Sequence, residues 1–241
     1  MEDAVNGAVE RAGPRRSPSG GGYARGDETR SRIVAAALSR FAADGYDRAS
    51  TRRIARDAGV NPPALQYYFS GKDGLHMACA QELMARFALA MAPGYAAADA
   101  VAPGDADAAV EAMVTLIDAV MDALFERHAE ADATRFMARG QGEEGTLPAY
   151  GWMRELTGRE LHGRARRLVA LATGADEDDP VLPVRTLAIL APIKAFHVGR
   201  TDVANRLCWP DLLGERLQLI KRVIGEQTRA VLLAARRGGA G

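Results

Sequence analysis

The sequence is poor in the features that mark several large protein classes. Its 241 residues include two cysteines, Cys79 and Cys208, too few and too far apart for a disulfide framework or a zinc site. Aromatic residues make up 6%, and no segment alternates Val, Ile, Thr or Tyr with polar residues for more than a few positions, so strand signals are missing. No run of 18 apolar residues occurs, and no apolar stretch follows the initial Met. Neither a membrane span nor a secretory signal is therefore expected, and a reduced, cytoplasmic setting is. Net charge is absent too: Lys+Arg and Asp+Glu are both 31. That excludes a uniformly basic protein, although a local basic surface remains open. There is no Ser/His/Asp or Cys/His arrangement, no phosphate-binding glycine loop, no HExxH and no zinc spacing. The sequence thus predicts no enzyme, no metal and no cofactor.

What is present favours helices. Ala is abundant, and Leu, Arg, Glu and Met are common; these residues lose little side-chain entropy in a helix. The fold class expected is all-α, in one or two compact units. Residues 1–26 read as a disordered leader rich in Pro, Gly and Ser, whose Arg11, Arg15, Arg16 and Arg25 form either a solvated tail or an arm reaching phosphates. Structure is expected from near Asp27, with Ile33, Ala37 and Phe41 striping a helix that stops at Asp44-Gly45. A short helix from Ser50 or Thr51 to Ala58 follows. Asn61 then caps another, with Pro62 in the first turn, where its missing N–H costs nothing. A helix from Lys72 to Met91, a loose connector bracketed by Pro93-Gly94 and Pro103-Gly104, and helices over 106–126, 128–139, 148–173, 181–207 and 211–236 complete the reading. The breaks divide the chain near residue 90, giving 27–90 and 91–241 as the two units.

Two short helices joined by a Gly-containing turn form a helix-turn-helix when the second can lie in a major groove. Ile54, Ala55, Ala58, Gly59, Val60, Leu65 and Phe69 fit the inner side of such a pair. The outward positions carry cations, hydroxyls, an amide and small apolar groups, types suited to phosphates and base edges. The stretch Ser50-Thr-Arg-Arg-Ile-Ala-Arg-Asp-Ala-Gly-Val-Asn-Pro-Pro-Ala-Leu-Gln-Tyr-Tyr-Phe-Ser-Gly-Lys-Asp-Gly-Leu75 strongly resembles the DNA-binding domain of TetR-family transcriptional regulators, and the resemblance covers about residues 28–90.

The resemblance implies an N-terminal three-helix helix-turn-helix domain and a larger C-terminal helical domain for effector binding and dimerisation. It implies that Thr51 bonds a phosphate, that Arg52 reaches phosphate or a base edge, and that Pro62, Pro63 and Ala64 sit at the groove-facing start of the recognition helix. Tyr67 and Tyr68 would hold the DNA backbone, and Lys72 would clamp a phosphate beside a helix N-terminus. Gln66 stands where many members have Tyr, and its amide could read adenine bidentately. Residues 27–75 hold eight cations against six anions, and residues 1–26 four against three. The first 75 residues are thus only mildly basic, so non-specific DNA affinity should be weak and salt-sensitive.

The implied partners are a double-stranded DNA operator, a small-molecule effector and a second copy of the chain, with no membrane. The expected function is a homodimeric repressor released from its operator by a small apolar or amphipathic molecule. Leu187, Leu190, Ile193 and Phe196, then Leu212, Leu213, Leu217, Ile220, Val223 and Ile224, stripe the last two helices. They could build a four-helix dimer interface or simply fill the chain's own core. Candidate effector-pocket residues are Met113, Ile117, Met121, Phe125, Phe136, Met137, Trp152, Met153, Phe196 and His197, since Met and aromatics line adaptable cavities; at helical spacing each also reads as plain core. His128, His162 and His197 are isolated in sequence. Cys208 beside Trp209 reads as a buried, inert thiol rather than a redox sensor. Arg135-Phe-Met-Ala-Arg-Gly-Gln141, Arg206-Leu-Cys-Trp209 and Gln66-Tyr-Tyr-Phe69 also resemble the TetR subgroup tied to cephalosporin and chloramphenicol sensitivity. Two readings compete with a regulator: an enzyme with a helical cavity, and an architectural DNA binder, which near-neutral charge disfavours.

Overall fold

The computed structural model describes residues 21–125, 131–140 and 142–238, all of it helices and their connections, with no strand among the described residues. The expected leader lies outside the described residues up to residue 20, with Arg11, Arg15 and Arg16. Helix α1 spans Gly21–Arg48, so it begins well before Asp27. Nucleation is the unfavourable step, and a helix already anchored by buried Ile33, Ala37 and Phe41 extends at one bond per residue. Its regular part ends where expected: Gly45 has φ 78° and kinks the chain, a conformation open to glycine. Helices α2 (Thr51–Asp57) and α3 (Pro62–Phe69) follow.

Helix α4 departs from the reading. It runs from Lys72 to Asp99 through Pro93 and Gly94, across the expected boundary at residue 90. Tertiary packing overrides the local breakers here. Met91 and Ala98 are wholly buried, and a Cβ on Gly94 would lie 2.8 Å from that of Ala119. The glycine therefore marks a close helix crossing rather than a loop. The connector shrinks to a tight turn around Gly104, φ 86°, before α5 (Ala106–Phe125).

Residues 126–130, including His128, fall outside the described residues; α6 is Ala131–Arg139. The long helix expected over 148–173 is α7 (Pro148–Thr157) and α8 (Gly163–Thr173), joined by a π-helical stretch at Gly158–His162. The expected helix over 181–207 is divided at Gly199 into α9 (Val181–Val198) and α10 (Arg200–Arg206), and α11 is Glu215–Gly238. By length and mean hydropathy (1.4) α9 alone, among the described residues, is apolar enough to cross a membrane. It carries Arg185 and Lys194, however, and packs against α5 and α8.

Two apolar cores result. One is built by α1–α4 and completed by Phe136 of α6 and Ala149, Tyr150 and Met153 of α7. The other joins the second half of α4 to α5, α8, α9 and α11. Most of the striped residues fill this second core: Leu190, Ile193, Leu212, Leu217, Ile220 and Ile224 are buried within the chain, while Leu187, Leu213 and Val223 are exposed. Val181 and Val184 on α9, and Leu219, Val231 and Leu233 on α11, add to the exposed apolar surface.

Candidate nucleic-acid interface and internal cavity

The corner between α2 and α3 is specified locally. Ser50 is extended and hands over to Thr51 at the first helical position. After Ala58, Gly59 adopts φ 66° and donates to Arg56 O at 3.1 Å, while Val60 N donates to Ala55 O at 2.9 Å. Asn61 caps α3, its Oδ1 accepting from Ala64 N at 3.1 Å, and Pro62 occupies the first turn. Ile54, Ala55, Leu65 and Phe69 are buried. That leaves Arg52, Pro62, Pro63 and Gln66 exposed and Thr51, Ala64, Tyr68 and Lys72 partly so. Tyr67 is 84% exposed, far more than a ring gains from packing on its own fold. A tyrosine held out on a recognition-type helix has its ring and hydroxyl free to meet another surface.

Thr51, Arg52, Pro62, Gln66 and Lys72 surround one open notch of about 470 Å³ between α2, α3 and the start of α4. Gly71, at φ 105°, also lines it, directly after Ser70, which closes α3 in the left-handed region at φ 54°. Lys72 Nζ donates to Asp47 O at 3.0 Å and sits 4.6 Å from the centre of the Tyr46 ring. The ammonium is therefore aimed before any anion arrives, and its remaining N–H groups stay available. Gly74, in the next turn, lies against Phe69: a Cβ there would fall 1.8 Å from Phe69 O.

Behind this surface, His76 is enclosed by rings from three helices. Phe41 and Tyr46 of α1 lie 4.9 and 5.1 Å away, Phe136 of α6 at 4.9 Å and Tyr150 of α7 at 5.2 Å. Burial among them pulls the imidazole down to about 4, outweighing the opposite pull of Asp73, so it is neutral. Tyr150 OH donates to Phe136 O at 2.9 Å, and Tyr46 OH donates to Asp73. Arg139 of α6 donates to Ala42 O and Ala43 O, both at 3.0 Å. Glu144 accepts from Tyr46 N at 3.1 Å, beside the Gly45 kink. The end of α1 is thus clasped by α6 and the turn after it.

The opposite side of α6 faces a largely apolar cavity of about 470 Å³. Leu83, Met84 and Phe87 of α4 line it, as do Val120, Ala123 and Leu124 of α5 and Ala133, Thr134 and Met137 of α6. Arg154, Thr157, Leu161 and His162 come from α7 and the π-helical stretch; Leu190, Ile193, Lys194, His197 and Val198 come from α9. Of the sequence candidates, Met137 and His197 line this space. Met113, Ile117, Met121 and Phe125 are wholly buried in the second core, although the Phe125 ring makes an edge contact with His197 at 5.8 Å. Phe136 and Met153 are buried in the core under α1–α4, and Trp152 packs against it; Phe196 packs against the second core. Sequence reasoning missed the cavity faces of α4 and α5, and Arg154 and Lys194. Their signal is a charge inside an otherwise apolar stripe.

Cys79 is buried, its thiol pushed up to about 12 by burial and then by Glu82. Cys208, expected to be buried, is exposed, with φ 55°. The chain closes α10 there, through Cys208 N to Asn205 O and Trp209 N to Ala204 O, and the tight turn directs the thiol outward.

A capped helix pair with an exposed reading face, set on a helical bundle, defines a helix-turn-helix DNA-binding regulator. Residues 33–79 match the family of bacterial regulatory proteins described as the tetR family, and residues 109–235 match the C-terminal domain of the HTH-type transcriptional dual regulator CecR. The chain belongs to the TetR family and carries the CecR-type C-terminal domain; such proteins regulate transcription and are not enzymes. A curated relative, the HTH-type transcriptional dual regulator CecR of Shigella flexneri, is 29% identical over 202 residues, 83% of this chain and 89% of that protein. A transcriptional regulator from Pseudomonas aeruginosa PAO1 shares the fold with a TM-score of 0.62 at 18% identity, covering 88% of this chain and 93% of that one. Another, from Rhodococcus sp. Rha1, aligns at 0.57 and 21% identity, covering 86% and 97%. The fatty acid degradation regulator FadR of Bacillus halodurans aligns at 0.53 and 16%, covering 84% and 97%.

Proposed function

We propose that this DNA-binding regulator is a homodimeric repressor, released from its operator when a small apolar or amphipathic molecule enters the cavity between α4, α5, α6, α7 and α9. The observation that carries this is the placement of α6. Met137 and Ala133 face the cavity, whereas Phe136 and Arg139 hold His76 and the end of α1. A ligand that displaces α6 changes both sides together. It shifts the population of DNA-competent dimers only to the extent that it binds the two arrangements differently.

At the operator, Gln66 and the Pro62–Ala64 turn face base edges, Thr51, Lys72, Tyr67 and Tyr68 face the phosphate backbone, and Arg52 reaches either. Residues 27–90 carry this contact and 91–241 carry effector binding and dimerisation, with α4 common to both. Val184 and Leu187 of α9 and Val223 and Val231 of α11 are exposed, and Val231 also lines a groove between the two helices. Pairing with the same residues of a second copy would bury them in a four-helix interface.

Selecting duplexes from a random pool, then screening small molecules for release of the selected duplex, tests the reading. Sequence-selective binding by a dimer and release by an apolar or amphipathic compound are expected. Binding as a monomer, or no release by compounds shown to occupy the cavity, would contradict it.

A further inference from the structure

The cavity has walls of two kinds. Those from α4, α5 and α6 are apolar apart from Thr134, whereas the wall from α7, the π-helical stretch and α9 carries Arg154, Lys194, His162 and His197. Among the described residues, no Asp or Glu lines the space. A purely apolar ligand would leave two cations beside it without use. A cationic ligand would meet only like charge, with no carboxylate to offset desolvation.

The helix geometry contributes to this asymmetry. The π-helical turn at Gly158–His162 widens the helix locally, so that Thr157, Leu161 and His162 all reach the same space, a spacing at which a regular α-helix would turn one of them away. His162 Nδ1 lies 3.3 Å from Thr157 O, so the wider turn retains a polar contact while presenting the ring to the cavity. Arg154 and Lys194 are exposed at the cavity edge. Their stems can lie along apolar surface with the charged ends in water, ready to exchange water for an anionic group.

We propose that the cavity takes an amphipathic organic anion, with an apolar body against α4–α6 and a carboxylate, sulfonate or phenolate met by Arg154 and Lys194. The proposal rests on the reading of this cavity as the effector site. Two fluorescent probes that differ by one sulfonate separate the questions: 1-anilinonaphthalene-8-sulfonate and neutral N-phenyl-1-naphthylamine, titrated into the full chain at low salt. The sulfonate is expected to bind about tenfold more tightly, a difference of about 1.4 kcal/mol. Arg154→Gln and Lys194→Gln should each remove several-fold of that preference and leave the neutral probe unchanged. Equal affinities for the two probes, or a preference that survives both substitutions, would overturn the anion assignment alone. If neither probe binds a chain that still binds duplex DNA, the effector-site reading fails and the proposal with it.

Discussion

Replacing Gly74 by alanine tests the corner that places the reading helix. The added Cβ would lie 1.8 Å from Phe69 O and 2.9 Å from its carbonyl carbon, and backbone cannot swing aside as a side chain can. Restoring ordinary contact requires α3 and α4 to separate by roughly 1.5 Å, whereas functional constellations hold together only within about 0.5 Å. Overpacking of this kind destabilises by about 1–3 kcal/mol, and the upper half is expected because both partners are main chain. Lys72 begins α4 while Gln66 is on α3, so the same separation prevents them from engaging one duplex together. Duplex affinity should fall about 10- to 100-fold at temperatures where the variant is still folded. Urea unfolding followed by circular dichroism, with fluorescence anisotropy of a selected duplex, reads both effects. Gly163→Ala is the contrast: nothing lies within 4 Å of its Cβ and its backbone is helical, φ −61°. It should stabilise by about 0.5–1 kcal/mol and leave DNA binding unchanged. A Gly74→Ala chain with unaltered stability and affinity would refute the corner geometry.

Further outcomes follow from the same contacts. Tyr150→Phe removes the buried bond to Phe136 O and should lower stability by about 1–1.5 kcal/mol in urea unfolding, with little change in duplex affinity. His76 is held to about 4 in the fold against 6.5 ordinarily, so below 6.5 the unfolded chain binds a proton that the folded chain refuses. Stability should drop as pH falls from about 6.5 to about 4, and His76→Phe should flatten that part of the profile. Lys72→Ala should weaken binding to all duplexes alike and reduce the salt slope by ~1, whereas Gln66→Ala should relax choice at one base pair by ~1–3 kcal/mol; binding isotherms across salt and sequence distinguish the two. Arg139→Ala frees the end of α1 from α6. It should leave ligand affinity within about twofold while reducing ligand-driven release of duplex several-fold, a coupling of about 1 kcal/mol.

The helix-turn-helix was legible in the sequence because its instructions are local. Asn61 before Pro62, Gly59 at a left-handed turn, and buried Ile54, Leu65 and Phe69 each act within a few residues. The continuation of α4 past Met91 was not legible because Pro93-Gly94 looks like a break, when Gly94 serves a close crossing with α5 that no local signal reveals. The cavity was hardest to read. It draws on five helices, and apolar periodicity along α5 does not distinguish the turns packed wholly in the core (Met113, Ile117) from the last turns, where Val120, Ala123 and Leu124 border the cavity. Phe136 and Met153 carry the sequence signal of pocket residues, because aromatic and Met content looks alike in a core and in a cavity. What separates them is the clasp between α6, α7 and α1, a long-range arrangement.

The most direct test of two recognition helices held by one dimer is hydroxyl-radical footprinting of the full chain on a selected duplex. Two protected patches on one face of the DNA, centred one helical turn (about 34–36 Å) or a whole multiple apart and requiring more protein to appear with Gln66→Ala, are the predicted result. Protection spread evenly along the duplex, or a single patch at every protein concentration, would contradict it.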